Sequence, residues 1–201
     1  MYKTKILADK ISNLTDARYF SARCCDVICF EIPDVNDVSK GIFLINSIKE
    51  WVTGPDIYIR TNGLGLEDLG SVINEIAPTG ILVSFFDDYD LSVLAEKFLI
   101  KEIILEAESQ FNLNHVAPVF NAIMLDLRST DLLLNEGFAN QLQVLSKNFE
   151  IYLKSDNVET LKQAVNKIPF ISGIGVNGGT EFKTGLKSYE EIDELLDGLE
   201  G

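Results

Sequence analysis

Cationic residues and histidine are scarce in this 201-residue sequence. The chain has 17 Lys and Arg against 31 Asp and Glu, a formal charge of -14, and a single histidine. A chain of this charge is repelled by a phosphate backbone or an anionic membrane surface, so we expect neither nucleic acid nor membrane as a partner. No apolar run reaches the roughly 18 to 20 residues of a membrane span, and no signal peptide precedes the first strand. The sequence therefore predicts a cytoplasmic protein.

Cysteine is also rare, and its distribution argues against a metal site. Cys24, Cys25 and Cys29 lie within six residues, and His115 has no neighbour at ligand spacing. A tetrahedral site would need a fourth ligand. We predict instead that the three cysteines are small buried hydrophobic residues, and we expect no metal and no cofactor.

A strand and helix alternation runs through the whole chain. Hydrophobic residues make up 46% of it, enough for one large core, and no linker or low-complexity segment divides it. Short β-branched or aliphatic runs are each followed by a stretch with helical spacing of apolar residues, which indicates βα units and a parallel sheet. The predicted strands are Lys3 to Ala8, Val27 to Glu31, Ile57 to Arg60, Gly80 to Phe85, Ile100 to Leu105, Ala122 to Leu125, Glu150 to Leu153 and Ile171 to Val176.

Eight such units predict a single-domain (β/α)8 TIM barrel over residues 1–201. The competing architecture is an open doubly wound sheet, which usually has five or six strands and a glycine-rich fingerprint after the first. The sequence has neither feature. Asn13 is expected to cap the first helix. The fifth unit is the weakest, because its helical segment, Asn112 to Val119, is short and ends near Pro118.

Candidate site residues follow from the barrel prediction. Active sites of such barrels are built from residues at the C-terminal ends of the strands. In this sequence those positions hold polar residues and two glycines, and Arg128 lies one step further out. The set comprises Asp9, Glu31, Arg60, Ser84, Glu106, Asp126, Lys154, Asn177, Gly178 and Gly179.

Asp126 and Asp9 are the candidates for proton transfer. Each follows an apolar run that we expect to be buried, so each carboxylate should lie at the rim of a low-dielectric interior, where the pKa of a carboxyl group rises. Strands one and six are not neighbours, and the two carboxylates could face one another across the barrel mouth as base and acid. Alternatively, both are ordinary strand-end acids that cap or pair with Lys10 and Arg128.

The segment Asn177, Gly178 and Gly179 is the candidate phosphate site. It follows the eighth strand, where barrels often bind phosphate through backbone N–H groups and the start of a short extra helix. Glycine lets the backbone approach an anion closely. A small phosphorylated metabolite is therefore the expected partner, unless the glycines only make a tight strand exit. Positive charge could come from three further candidates, Arg60, Arg128 and Lys154.

Three segments carry a likeness to a known family. The first is ISNLTDAR at 11–18 followed by DVICF at 26–30, the second is NAIMLD at 121–126, and the third is IGVNGGTE at 174–181 followed by TGLKS at 184–188. They resemble phosphoribosylanthranilate isomerase, the small single-domain barrel of tryptophan biosynthesis. The order of the segments and the chain length fit that family from end to end, while the middle third matches only in its pattern of elements.

The resemblance implies an Amadori rearrangement. In that reaction an acid protonates the ribose ring oxygen and a base removes the proton of the neighbouring carbon. The resemblance makes Asp126 the acid. The family's base is a cysteine at the end of strand one, in a Lys-Ile-Cys-Gly motif that is absent here.

Two alignments of the missing base remain open. An ungapped alignment back from Asn13 places Asp9 at the family's cysteine and Lys10 at its glycine. The related isomerase of histidine biosynthesis performs the same rearrangement with an aspartate pair, in keeping with that placement. An alignment anchored on Lys5 and Ile6 places Leu7 at the cysteine and leaves no base.

Three functional segments of the family are altered in this sequence. The Ser-Pro-Arg segment after strand two, whose arginine would hold the anthranilate carboxylate, is replaced by PDVND at 33–37. The glycine-rich loop after strand six is replaced by LRSTD at 127–131, and the double glycine after strand seven by KSD at 154–156. One phosphate loop of two is retained.

Three functions therefore stay open. The first is an isomerase similar to phosphoribosylanthranilate isomerase, acting on a small phosphorylated sugar with carboxylates as acid and base. The second is a non-catalytic barrel that binds a phosphosugar or another protein after loss of the family's activity. The third is a different phosphosugar enzyme. The sequence does not determine the oligomeric state, and a homodimer is among the open possibilities.

Overall fold

The computed structural model describes residues 4–84, 91–94, 96–105, 116–128, 136–183 and 186–199. Several predicted features lie outside these ranges: the first residues of strand one, Phe85, Glu106, residues 112–115 with His115, residues 129–131 and residues 184–185. The chain forms a closed barrel of eight parallel strands in sequential order. The strands are β1 (Lys5–Ile11), β2 (Val27–Phe30), β3 (Asp56–Arg60), β4 (Gly80–Val83), β5 (Phe98–Leu105), β6 (Ala122–Leu127), β7 (Glu150–Lys154) and β8 (Gly173–Asn177).

The prediction of a single-domain (β/α)8 barrel is confirmed, and each of the eight predicted strands is present. The main difference is in β1, which continues beyond Ala8 to Ile11. The pairing with β2 shifts register between Ala8 and Ile11, and Lys10 there adopts φ 56°. This bulge places Asp9 inside the strand and leaves it completely buried.

Six α-helices lie within the described residues: α1 (Leu14–Ala22), α2 (Val38–Lys49), α3 (Leu66–Ile76), α4 (Glu136–Leu145), α5 (Val158–Lys167) and α6 (Glu190–Leu199). The predicted cap of α1 is confirmed, because the side chain of Asn13 accepts a hydrogen bond from the Asp16 N–H. Asp37 and Asn157 cap α2 and α5 in the same way. Between β4 and β5 the described residues include only a short 3₁₀ helix, Leu91–Leu94.

The segment after β8 differs from the short helix expected there. It forms a two-stranded antiparallel ladder of β9 (Thr180–Lys183) and β10 (Leu186–Ser188), which leads into α6. Asn177 ends β8 directly before this hairpin. The hairpin therefore brings Lys187 and Tyr189 back toward the end of β8.

Two apolar clusters form the core. The larger lies between the barrel and its helices. The smaller fills the barrel interior, with two tyrosine rings near its lower end: a Cβ atom on Gly80 would lie 2.5 Å from the Tyr58 ring, and one on Gly173 would lie 2.4 Å from the Tyr152 ring. The interior is thus a packed core, as is usual for this fold. Its members are Leu7, Val27, Cys29, Tyr58, Leu82, Ile100, Ala122, Met124 and Tyr152.

The prediction of buried cysteines is confirmed for Cys25 and Cys29 and wrong for Cys24, which is exposed. Cys24 lies in the turn between α1 and β2, where its backbone has φ 56°. No helix among the described residues has the length and the apolar composition needed to cross a bilayer.

Candidate functional site

Four charged side chains form a layer across the barrel, directly above the apolar interior. They come from the odd-numbered strands: Asp9 from β1, Arg60 from β3, Glu102 from β5 and Lys154 from β7. Their exposed fractions are 0%, 3%, 5% and 1%. Side chains of alternate strands form such layers of four in (β/α)8 barrels, where bulky branched apolar residues usually dominate. Here the layer contains two cations and two anions.

Hydrogen bonds link the four charges. Asp9 accepts two bonds from Arg60, at 3.2 Å from Nε and 2.6 Å from Nη2, and a further short bond from Lys154 Nζ. Arg60 also donates to both carboxylate oxygens of Glu102, each at 2.7 Å. A buried charge is tolerated only when it is paired and hydrogen-bonded in this way.

The pairing keeps Asp9 ionised. Burial alone would raise the pKa of Asp9, but the charges of Lys154 and Arg60 and their hydrogen bonds outweigh burial and lower it to about 2. Burial also acts on Glu102, whose pKa falls below its ordinary value because of the bonds and charge of Arg60. Asp9, with its pKa of about 2, is therefore a weak proton acceptor.

The next layer up, at the mouth, comes from the even-numbered strands. Inward-pointing residues recur every second position along a strand. The inward residues of the even-numbered strands at the level below are Cys29, Leu82, Met124 and Gly175. Two positions further along the same strands, the mouth layer consists of Glu31, Ser84, Asp126 and Asn177. Asp9 lies one layer below Asp126. The mouth layer therefore presents two carboxyl groups, Glu31 and Asp126, from opposite sides of the barrel.

Asp126 is a buried carboxyl group with one oxygen free. Its side chain is 3% exposed, and Oδ2 accepts a hydrogen bond of 2.9 Å from the guanidinium of Arg128. Oδ1 is buried and receives no hydrogen bond from any described residue. Burial raises the pKa of Asp126, and the nearby charges of Lys154 and Arg128 offset part of this effect. Such a group holds a proton more readily than an ordinary aspartate.

Glu31, which directly follows the opposite strand β2, also has a raised pKa. It is half-buried and accepts a short hydrogen bond from the side-chain amide of Asn62. Burial raises the pKa of Glu31, and the charge of Arg60 opposes the rise. Glu31 and Asp126 are thus the two mouth carboxyl groups with raised pKa values.

The structure places the three predicted cationic residues in different surroundings. Arg60 and Lys154 lie in the buried charged layer, with their polar groups on Asp9 and Glu102. Arg128 is exposed at the rim, where it contacts Asp126 and lies 3.4 Å from Asp156. Of the three, Arg128 is therefore the cation that an incoming anion could reach most directly.

The loop after β8 is folded around an internal carboxylate. Gly179 N–H donates to Asp16 Oδ1 at 3.1 Å, and the side-chain amide of Asn177 donates to Asp156 at 2.9 Å. The side-chain oxygen of Asn177 is buried and has no partner among the described residues. Asp16 itself is 2% exposed. The sequence predicts a phosphate group beside Asn177, Gly178 and Gly179, whereas in this structure the Gly179 N–H donates to Asp16.

Two important residues were missed from the sequence. Glu102 is not among the predicted site residues because it lies in the middle of a strand and not at its end, although it shares the inward parity of Ile100. Asp16 is not among the predicted site residues, and three of the four groups that donate to its carboxylate are 163 to 173 residues away in sequence. Strand parity could have found Glu102, whereas no local signal identifies the distant partners of Asp16.

The backbone at Lys10 favours one of the two open alignments. Lys10 occupies the left-handed region, with φ 56°, where glycine is the preferred residue. The ungapped alignment places the family's glycine at this position. It also puts Asp9, the uppermost inward residue of β1, at the position of the family's base.

Among the described residues, no group of three or more His, Cys, Asp or Glu side chains has an arrangement that could hold a metal ion.

Hydroxyl groups complete the network near the charged layer. Ser84 Oγ accepts from the Asn62 N–H at 3.0 Å and lies 3.3 Å from Arg60 Nη1. The described groups that lie together here are carboxyl, ammonium, guanidinium, hydroxyl and amide groups.

The sequence matches no family model and no curated protein. Solved structures do match it along nearly its full length. A phosphoribosylanthranilate isomerase from Thermotoga maritima superposes with a TM-score of 0.70 at 15% identity, covering 98% of this chain and 99% of that one. The isomerase from Thermus thermophilus gives 0.69 at 17% identity, with 98% of both chains covered.

A decarboxylase with a different reaction is about as similar. Orotidine 5'-monophosphate decarboxylase from Sulfolobus solfataricus superposes with a TM-score of 0.67 at 10% identity, covering 97% of each chain. At these identities the likeness establishes the fold and not the chemistry. The chain thus has the single-domain (β/α)8 fold of the phosphoribosylanthranilate isomerases, which it resembles from end to end.

Proposed function

We propose that this protein is an acid–base isomerase of a small phosphorylated sugar, with Asp126 as the acid. The observation that carries the proposal is the state of Asp126: buried at a strand end, raised in pKa, and with Oδ1 free of described partners. A carboxylic acid of this kind can donate a proton to a substrate oxygen and recover it later in the cycle.

The geometry favours Glu31 over Asp9 as the proton acceptor. Asp9 has no exposed surface, its carboxylate is held by two cations, and its pKa is about 2. Glu31 lies in the same layer as Asp126, is half-buried and has a raised pKa. In this assignment Asp9 is a positioning residue. It holds Lys154, whose strand pairs with that of Asp126, in the layer beneath the reacting groups.

The proposed reaction needs no external reactant. Asp126 gives its proton to the ring oxygen of an aminosugar as the bond from that oxygen to C1 breaks, which leaves an iminium ion. Glu31 then removes the proton from C2, and the C–H electron pair forms the double bond of an enolamine. Tautomerisation completes the amino-ketose: Glu31 gives its proton to C1, and the C2 hydroxyl gives its proton to Asp126 as the ketone forms, so the net change is an isomerisation. The two carboxyl groups return to their initial protonation states.

The similar solved structures support the proposal that the substrate carries a phosphate group. Their names specify a phosphoribosyl group in the anthranilate isomerases and a nucleoside 5'-monophosphate in the decarboxylase. Both ligands carry a phosphate on a ribosyl unit. Arg128, exposed at the rim beside Asp126, is the described cation best placed to attract such an anion.

Turnover of N-(5'-phosphoribosyl)anthranilate tests the named reaction, and with it a place in tryptophan biosynthesis. We expect the purified chain to form the amino-ketose and Asp126→Asn to lower kcat at least 100-fold. Asp156→Asn is the matched control, because Asp156 also contacts Arg128 but is exposed. Absence of turnover, or equal loss in both variants, would reject the assignment.

A non-catalytic phosphosugar-binding barrel is the second candidate. It is favoured by the internal pairing of Arg60 and Lys154, which holds two of the three candidate cations on Asp9 and Glu102 and so leaves them little part in catalysis. Sugar phosphates that stabilise the protein without being converted would support this function. Conversion of any of them would count against it.

A further inference from the structure

The carboxylate of Asp16 lies at the centre of a set of hydrogen-bond donors from three parts of the chain. The side-chain amide of Asn13 donates at 2.7 Å, the Gly179 N–H at 3.1 Å, Lys187 Nζ at 2.5 Å and the Tyr189 hydroxyl at 2.6 Å. The donors include one ammonium group, one backbone amide and two neutral side chains. A phosphate or carboxylate anion is the natural occupant of such a set.

The two glycines of the loop fit this carboxylate closely. A Cβ atom on Gly178 would lie 2.5 Å from Asp16 Oδ2, and one on Gly179 would lie 2.5 Å from the Tyr189 ring. Neither glycine has a positive φ. The need for glycine at both positions therefore comes from the close approach of Asp16 and Tyr189, and an external anion is not required to explain it.

The electrostatics agree with a charged occupant. Burial would raise the pKa of Asp16, but hydrogen bonds from Lys187, Tyr189 and Asn13 outweigh burial and hold the pKa below its ordinary value. Asp16 is therefore ionised at neutral pH. Burial, together with the hydrogen bond that Tyr189 donates to Asp16 and the charge of Asp16, raises the pKa of the Tyr189 phenol, so Tyr189 stays a donor.

We propose that the loop after β8 is an anion site whose resident anion is Asp16, so that an external phosphate group enters it only when the Asp16 carboxylate is removed. The donors are in place, and one carboxylate from α1 uses them. A phosphate in the same position would contact the Asp16 charge at close range, and the repulsion between them excludes it. The phosphate group of a substrate must then be bound by other residues of the mouth.

Isothermal titration calorimetry with inorganic phosphate, at constant ionic strength, tests the inference. We expect the wild-type protein to show no saturable binding at phosphate concentrations that saturate Asp16→Ala. The phosphate affinity of the variant should thus be at least tenfold higher than that of the wild type. Asp16→Ser is a second variant, because serine is well tolerated near a helix start. Adding Lys187→Met to either variant should weaken phosphate binding again by about tenfold.

Asp68→Ser is the matched control. Asp68 is an exposed acid in the first turn of α3, so its removal changes the net charge equally without opening the site. We expect this variant to bind phosphate no better than the wild type. Saturable binding by the wild type, with affinity unchanged in Asp16→Ser, would overturn the proposal, as would equal gains in Asp16→Ser and Asp68→Ser.

A second measurement, of thermal stability, tests the contact between Gly178 and Asp16 and does not depend on phosphate binding by any variant. Gly178→Ala should destabilise the wild type because its new Cβ would lie 2.5 Å from Asp16 Oδ2 and 2.9 Å from Asp16 Cγ, and should destabilise the Asp16→Ala background, which lacks both atoms, much less. Equal losses of thermal midpoint in the two backgrounds would overturn the contact on which the site depends. Both experiments measure binding or stability and not turnover, so their failure is distinct from failure of the isomerase proposal.

Discussion

The ammonium group of Lys154 and the carboxylate of Asp9 form an ion pair inside the barrel, although their strands, β7 and β1, are separated by β8. Their side-chain exposures are 1% and 0%. Gly175 of β8 lies beside the pair, where a Cβ atom would come within 3.3 Å of Lys154 Cβ. The absence of a side chain at Gly175 leaves room for Lys154 to cross to Asp9. The pair thus links β7 to β1 across β8, above the apolar interior of the barrel.

Asp9→Ala should therefore strongly destabilise the protein. Removing one partner leaves Arg60 and Lys154 with uncompensated buried charge, and such losses are typically about 3–5 kcal/mol. Urea unfolding at pH 7 measures the change. A loss below about 1 kcal/mol would show that the charged layer does not hold the barrel together.

Lys5→Ala is the control in the same strand. Lys5 pairs with Glu150, but the side chains are 48% and 35% exposed. Exposed ion pairs contribute about 0–1 kcal/mol, so this variant should lose no more than that. The contrast between the two variants isolates the effect of burial.

The pKa of Asp9 also predicts how stability depends on pH. The folded value of about 2 lies below the ordinary value of 3.8, so the stabilisation is fully present above about pH 4 and is lost as the pH falls toward 2. The shift corresponds to about 2 kcal/mol. Unfolding free energies measured between pH 5 and pH 2.5 should fall more steeply for the wild type than for Asp9→Asn. Parallel curves would contradict the low pKa.

The barrel could be predicted from the sequence because its signals are local. Runs such as Ile123 to Leu125 are short, apolar and followed by helical spacing, and eight repeats of that alternation leave few architectures. The extension of β1 through Asp9 could not be predicted in the same way. It depends on a bulge at Lys10, a residue with no intrinsic preference for a positive φ.

The site could be predicted in position but not in its pairings. Strand ends identified Asp9, Arg60, Asp126 and Lys154, since the fold directs those positions to one end of the barrel. Which of these side chains neutralise one another depends on distances across the lumen, between residues 51 to 145 apart in sequence. No pattern in a single sequence encodes such distances.

Asp126→Asn should stabilise the folded protein at neutral pH. A carboxyl group whose pKa is raised by folding contributes stability at low pH, and this contribution is lost as the pH rises through the folded pKa. At pH 7 the buried charge is therefore unfavourable, and asparagine removes it. We expect a gain of about 1 kcal/mol at pH 7, within the range common for single stabilising substitutions.

The gain should shrink as the pH falls and disappear only well below 3.8, where the carboxyl group is protonated in both folded and unfolded chains. Thermal midpoints of the wild type and Asp126→Asn at pH 7 and pH 3.5 test this. A variant less stable than the wild type at pH 7 would show that the ionised Asp126 is well compensated by Arg128, which would weaken the case for an acid.

Lys10→Gly should be neutral or stabilising by up to about 1 kcal/mol. A left-handed backbone is unfavourable for a residue with a side chain, and glycine removes that penalty at some cost in unfolded-state entropy. Lys5→Gly is the comparison, because Lys5 is also an exposed lysine of β1 but lies in regular pairing with β8. It should lose about 0.5–1 kcal/mol. Equal losses from both substitutions in chemical denaturation would rule out the bulge.

The measurement that bears most directly on the proposed chemistry is solvent deuterium incorporation. Purified protein is incubated in D2O with a panel of ribose 5-phosphates and 5'-phosphoribosylamines, and mass spectrometry detects deuterium bound to carbon. The proposed mechanism predicts incorporation for at least one compound, lost at least 100-fold in Asp126→Asn and retained in Asp156→Asn. No incorporation into any compound, or equal incorporation in the wild type and Asp126→Asn, would contradict acid–base isomerisation at this mouth.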